Sequence, residues 1–64
     1  MKLNKEKIDL AMARKSYNIT QLAKSYGVSA QRIYIILGQK EVSPAVAGRL
    51  SAALGVDVTE ILED

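Results

Sequence analysis

Gln21-Leu22-Ala23-Lys24-Ser25-Tyr26-Gly27-Val28-Ser29-Ala30-Gln31-Arg32-Ile33-Tyr34-Ile35-Ile36-Leu37 is the stretch on which the reading of this 64-residue chain turns. Leu22, Ala23 and Tyr26 share one helical face, and Gly27 is the residue type best able to take the left-handed position that stops a helix. Val28 gives the turn an apolar side chain to bury. Ser29 then caps a second helix over Ala30 to about Leu37, ending at Gly38. Two short capped helices joined by Gly-Val-Ser have the layout of a helix–turn–helix. A bare helix–Gly–helix pattern is weak, because such corners are common in small helical domains. The spacing adds weight: Ala23 is small where the first helix must let the second approach. Ile33 and Ile36, with Leu37, make the inward stripe of the second helix.

The rest of the chain is punctuated in the same way. Asn4 caps a first helix, about 5–15, in which Ile8, Ala11 and Met12 form an apolar stripe and Arg14 and Lys15 suit the negative end of the dipole. Asn18 followed three places later by Gln21 reads as a capping box opening a helix over 19–26. Gln39 to Val42 reads as a loop. Ser43-Pro44 places a cap before Pro in the first helical position, opening a helix over 44–54 that stops at Gly55. Asp57-Val58-Thr59-Glu60 is a second capping box, expected to open a short helix over 58–63 with Ile61 and Leu62. Five helices, at 5–15, 19–26, 30–37, 44–54 and 58–63, and no credible strand pair predict an all-α fold in a single domain spanning 1–64. Leu22 to Ser29 echoes Leu50 to Asp57, but two copies are too few for a solenoid. Both segments solve one problem: stop a helix with Gly, pin the turn with Val, cap the next helix.

Composition narrows the function. With 48% apolar residues, the chain can build one small core. It has no Cys and no His, which removes disulfides, thiolate chemistry, the usual zinc ligand sets and imidazole catalysis. Asp57 and Glu60 are explained by helix-end chemistry, and no phosphate-binding loop is present. Neither an enzyme, a cofactor, a metal nor a small-molecule ligand is expected. The longest apolar run, Ile33 to Leu37, is far short of the roughly 20 residues a membrane span needs, and the N-terminus lacks the apolar stretch of a secretory leader. A cytoplasmic location is the expectation.

The formal charge of +2 hides a polarity. Residues 1–40 hold Lys2, Lys5, Lys7, Arg14, Lys15, Lys24, Arg32 and Lys40 against Glu6 and Asp9, a net +6. Residues 41–64 hold Arg49 against Glu41, Asp57, Glu60, Glu63 and Asp64, a net −4. A positive front and a negative back suit oriented docking on a polyanion.

Residues 8–62 resemble the lambda-repressor-like phage repressor/Cro (XRE) family of DNA-binding domains. The matching text is Leu22-Ala23, Gly27-Val28-Ser29, Ile33, Lys40, Ser43-Pro44, Leu50, Leu54-Gly55-Val56 and Ile61-Leu62. No single piece is diagnostic; the ordered set is fairly specific. The resemblance implies a compact five-helix domain whose third helix enters the major groove of double-stranded DNA, usually as a homodimer on a pseudo-palindromic operator. Three departures stand out. Ile19 replaces the Gln that many members use on phosphate. Met12 and Leu37 stand where many members pair an Arg with a Glu, and apolar replacement of both partners removes both desolvation costs together. Gly38-Gln39-Lys40 carries its Gly one place early, which shifts the expected phosphate geometry.

With Ile33 inward, about 100° per residue puts Gln31 and Ile35 near the opposite side of their helix, flanked by Arg32 and Tyr34. Gln31 suits adenine, and Arg32 guanine or a phosphate. A merely solvated helix face usually carries such residues too. Ile35 favours a contact surface, since thymine methyls or a protein would cover it. Tyr34 is suited to a base or a phosphate, and Ala30 offers only a methyl. Gln31, Arg32, Tyr34, Ile35 and Ala30 are therefore the base-contact candidates. Asn18, Ser29, Gln39, Lys40 and Ser43 are the phosphate-contact candidates, although Asn18 and Ser29 are also plain caps. Lys2 and Lys5 are candidates for an electrostatic arm, with simple solubility the plainer account of Lys2. Gly48 falls mid-helix on an outer face, either for a close approach or as drift. Val46, Val58 and Leu62 suit a dimer seam or ordinary core.

Two functions follow. The first is a sequence-specific DNA-binding transcriptional regulator, a repressor of phage or mobile-element type. The second, which Tyr34 and Ile35 support, is a helical protein-interaction module such as an antitoxin or adaptor, with secondary or no DNA binding.

Overall fold

Each helix begins where a side-chain oxygen meets a backbone N–H that has no partner inside the helix. The computed structural model describes residues 1–64. In α1 (Lys5–Lys15), Asn4 Oδ1 accepts from the Lys7 N–H at 3.1 Å. In α2 (Ile19–Tyr26), Asn18 and Gln21 exchange backbone-to-side-chain bonds, both at 2.8 Å, completing the capping box. Ser29 accepts from the Arg32 N–H at 3.2 Å to start α3 (Ala30–Leu37). Ser43 accepts from the Val46 N–H at 3.2 Å to start α4 (Pro44–Leu54), with Pro44 in its first turn.

The stops are as local as the starts. Gly27 and Gly55 take left-handed backbone, at φ 97° and 68°. Ser16 ends α1 in the same region at φ 56°, where an L-residue is strained. Gly38 ends α3 in a right-handed conformation and needs no glycine for that reason.

The C-terminal segment departs from the expected helix over 58–63. Only Val58–Glu60 is helical, as a single 3₁₀ turn opened by Asp57. The backbone beyond it is taken by residues 1–4. The Asn4 N–H donates to the Ile61 carbonyl at 2.8 Å and the Glu63 N–H to the Lys2 carbonyl at 2.9 Å. Leu3 bridges Leu62 in antiparallel sense, and Lys2 bridges Glu41 on the other side. The Val42 N–H completes the stitch, reaching the Met1 carbonyl at 2.8 Å. A helix over 61–63 would forfeit these bonds without length enough to repay nucleation. Both bridges are isolated and build no sheet, so the fold is all-α as expected.

Every helix and the 3₁₀ turn's end contribute to one core. Ile8, Leu22, Ile33, Leu50, Leu54 and Ile61 are fully buried, and Ala11, Ala23, Tyr26, Ile36 and Ala53 close around them. Burying each larger aliphatic side chain is worth about 1.5–3 kcal/mol. Only 14 of 64 residues are buried, so the caps carry unusual weight in holding this fold. Met12, Ile19 and Leu37 pack against the core, so these three apolar side chains lie in apolar surroundings. Val46 and Leu62 also pack on it, and Val58 is half-buried. Gly48 faces open space: a Cβ there would meet nothing within 4 Å.

Candidate nucleic-acid interface

The α2–α3 corner is built from backbone bonds and one arginine. The Gly27 and Val28 N–H groups both donate to the Ala23 carbonyl, at 2.8 and 3.0 Å, which turns the chain sharply out of α2. Val28 is half-buried in the turn. Ser25 Oγ donates to the Ala53 carbonyl at 2.9 Å, tying α2 to the end of α4. Arg49 of α4 reaches the same corner: its Nε donates to the Tyr26 carbonyl at 3.1 Å, and its Cζ lies 4.5 Å from the centroid of the Tyr26 ring.

This scaffold turns one face of α3 outward. Ile33 and Ile36 are buried, while Gln31, Arg32, Tyr34 and Ile35 are exposed and Ala30 is half-buried. Tyr34 is 63% exposed and Ile35 55%, well above what large apolar side chains usually leave to water. Four of the five base-contact candidates thus share an open helix face, with Ala30 at its buried margin.

The phosphate-contact candidates are spread around that face. Asn18 lies at the start of α2, Ser29 at the start of α3, and Gln39, Lys40 and Ser43 in the segment between α3 and α4; all five are exposed. The Ser29 and Ser43 hydroxyls accept cap bonds, and a hydroxyl that accepts keeps its own hydrogen to donate.

The basic residues sort themselves in a way the linear charge count does not show. Lys7 turns to the other end of the chain, donating to the Leu62 carbonyl and to Asp64, both at 3.0 Å. Arg14 pairs with Glu60 at 3.5 Å, and Lys15 lies over the Tyr17 ring at 5.2 Å. Lys2, Lys5 and Lys40, by contrast, line one hollow of about 290 Å³ with Gln39 and Leu37, beside the end of α3. Glu63 is the acid on its rim. Residues 1–4 are no loose arm, because the bridges to Glu41 and Leu62 fix them.

Sequence reasoning missed Arg49 and this grouping of lysines. Arg49 stands 23 residues from Tyr26, and no spacing rule links an α4 arginine to the carbonyl that ends α2. No group of three or more His, Cys, Asp or Glu side chains is arranged to hold a metal ion. No helix is long and apolar enough to cross a membrane. Asp57 has its carboxyl held below the usual aspartate range, first by the Thr59 hydroxyl and then by the Thr59 backbone N–H. That is the chemistry of a cap.

Residues 7–64 match the family model of the Cro/C1-type HTH DNA-binding domain. No curated protein and no solved structure matches the chain.

Proposed function

The chain belongs to the Cro/C1-type HTH DNA-binding domain family, and from that premise we propose that it is a sequence-specific transcriptional regulator, a repressor of phage or mobile-element type acting in the cytoplasm. In this reading α3 lies in the major groove. Gln31, Arg32, Tyr34 and Ile35 meet base edges, with the Ala30 methyl close by. Asn18, Ser29, Gln39, Lys40 and Ser43 hold the backbone on either side. Binding as a homodimer to a pseudo-palindromic operator completes the proposal.

The observation that carries it is the open face of α3. A helix pinned by two buried isoleucines presents an amide, a guanidinium, a phenol and an aliphatic side chain together. Those are the groups that read adenine, guanine and the thymine methyl. The lysines beside the end of α3 suit phosphates flanking such a contact.

Selection of bound duplexes from a random pool tests the reading. Enrichment of a palindrome is expected, and its half-site spacing reports the dimer geometry. No enrichment, with a co-purifying protein that masks Tyr34 and Ile35, would instead favour the interaction module.

A further inference from the structure

Between the helix–turn–helix corner and the start of α4 lies a second hollow, of about 420 Å³. Val28 and Val46 lie on its apolar side, and Arg32, Gln39, Ser43 and Arg49 bring polar groups to it. Arg49 is already oriented there, with Nε on the Tyr26 carbonyl and its Cζ 4.5 Å from the ring centroid. Its two Nη groups make no hydrogen bond within the chain, and the Arg32 side chain makes none either. The two ion pairs of the molecule, Lys7–Asp64 and Arg14–Glu60, involve neither arginine. Glu41 also borders the hollow and pairs with neither.

The Arg49 guanidinium, without a carboxylate partner and joined by an amide and a hydroxyl that can donate, has the chemistry of an oxyanion site. A stacked arginine is the stronger half of such a site. Its planar fork is held in place before the ligand arrives, so less freedom is lost on binding.

We propose that this hollow is a phosphodiester site, in which Arg49 grips one backbone phosphate of duplex DNA beside Gln39 and Ser43, while Val28 and Val46 face its sugar and Arg32 keeps its base edge. The proposal rests on the DNA-binding reading and adds to it a contact from α4. It gives the Arg49–Tyr26 stack a purpose: the side chain that braces the corner also presents its outer edge to the nucleic acid.

The test is equilibrium binding of the whole chain to a random-sequence duplex, followed by fluorescence anisotropy over a range of salt concentrations. Each neutralised phosphate contributes about 0.9 to the log–log salt slope. Arg49→Gln is expected to lower the slope by about that amount, and Arg49→Lys, which keeps the charge, to restore most of it. Circular dichroism establishes that the variants are folded. Glu41→Gln leaves Arg49 and Tyr26 in place and removes the one carboxylate that borders the hollow, from an exposed side chain that makes no ion pair. It is expected to raise duplex affinity about threefold, so the test survives if Arg49→Gln fails to fold. Wild-type binding with an unchanged slope in folded Arg49→Gln, or unchanged affinity in Glu41→Gln, overturns the phosphodiester site alone. Failure of the wild-type chain to bind any duplex overturns the DNA-binding reading and this site with it.

Discussion

The Asn4 N–H donates to the Ile61 carbonyl at 2.8 Å, while the Asn4 side chain caps α1 through the Lys7 N–H at 3.1 Å. One residue therefore starts the first helix and ends the last turn. Because Ile61 is fully buried, that main-chain bond also fixes how the C-terminal segment closes the core.

Removing Met1 to Leu3 leaves the Val42 and Glu63 N–H groups without their partners, the Met1 and Lys2 carbonyls. With each backbone bond worth about 1 kcal/mol, a stability loss on the order of 2–4 kcal/mol is expected. Faster amide hydrogen exchange at Val42 and Glu63, with little change at Leu22 or Leu50, is the check. Unaltered exchange at Val42 would mean that the stitch does not hold the loop after α3.

Two glycines should respond in opposite directions. Gly48→Ala adds a methyl into open space inside α4 and is expected to stabilise by up to about 1 kcal/mol. Gly27→Ala must hold φ near 97° and bring its Cβ to 3.0 Å from Arg49 Nη2, so it is expected to cost about 1–2 kcal/mol or more. Denaturant titration of both variants measures the sign directly.

On the enriched duplex, Gln31→Ala is expected to cost about 1–3 kcal/mol of binding and to relax preference at one base pair. Lys40→Ala should weaken all sequences alike and lower the salt slope by about 0.9. Both side chains are exposed, so melting temperatures should hardly move. Binding unchanged in both variants would move the recognition surface away from α3.

Asp57 gives the fold a small sensitivity to acid. Its carboxyl is held below the usual aspartate range by Thr59, so the folded state binds this proton less readily than the unfolded chain. The stabilisation is therefore present above the unfolded value, near 3.9, and is lost as pH falls through the lower folded one. Thr59→Val removes the larger cause. Its thermal midpoint is expected to fall less steeply than that of the wild type between about pH 5 and pH 3. Parallel curves would show that the Thr59 hydroxyl contributes nothing to this dependence.

Much of the architecture was legible because its signals are local. Asn4, Asn18, Ser29 and Ser43 each accept from a backbone N–H three residues on, and Gly27 and Gly55 each take a left-handed turn. Such interactions depend on neighbours in sequence, so a residue string encodes them. The outward face of α3 follows from helical period once Ile33 is turned inward, and the exposure of Gln31, Tyr34 and Ile35 agrees with it. The capping box at Asp57 was equally local. It starts a turn, but it carries no information about the Asn4 and Lys2 main chains that claim the residues after it.

The amino-acid order by itself determined where the four α-helices begin and stop, which face of α3 is apolar, and that charge is divided between the two parts of the chain. Tertiary structure decided which charges remain free. Lys7 and Arg14 are drawn to Asp64 and Glu60, whereas Lys2 and Lys5 come to lie by Lys40, and Arg49 folds onto Tyr26. The physical reason is range. Caps and helical period act over three or four residues. Ion pairs, stacking and strand bridges join whatever the closed core brings together, at separations no local rule records.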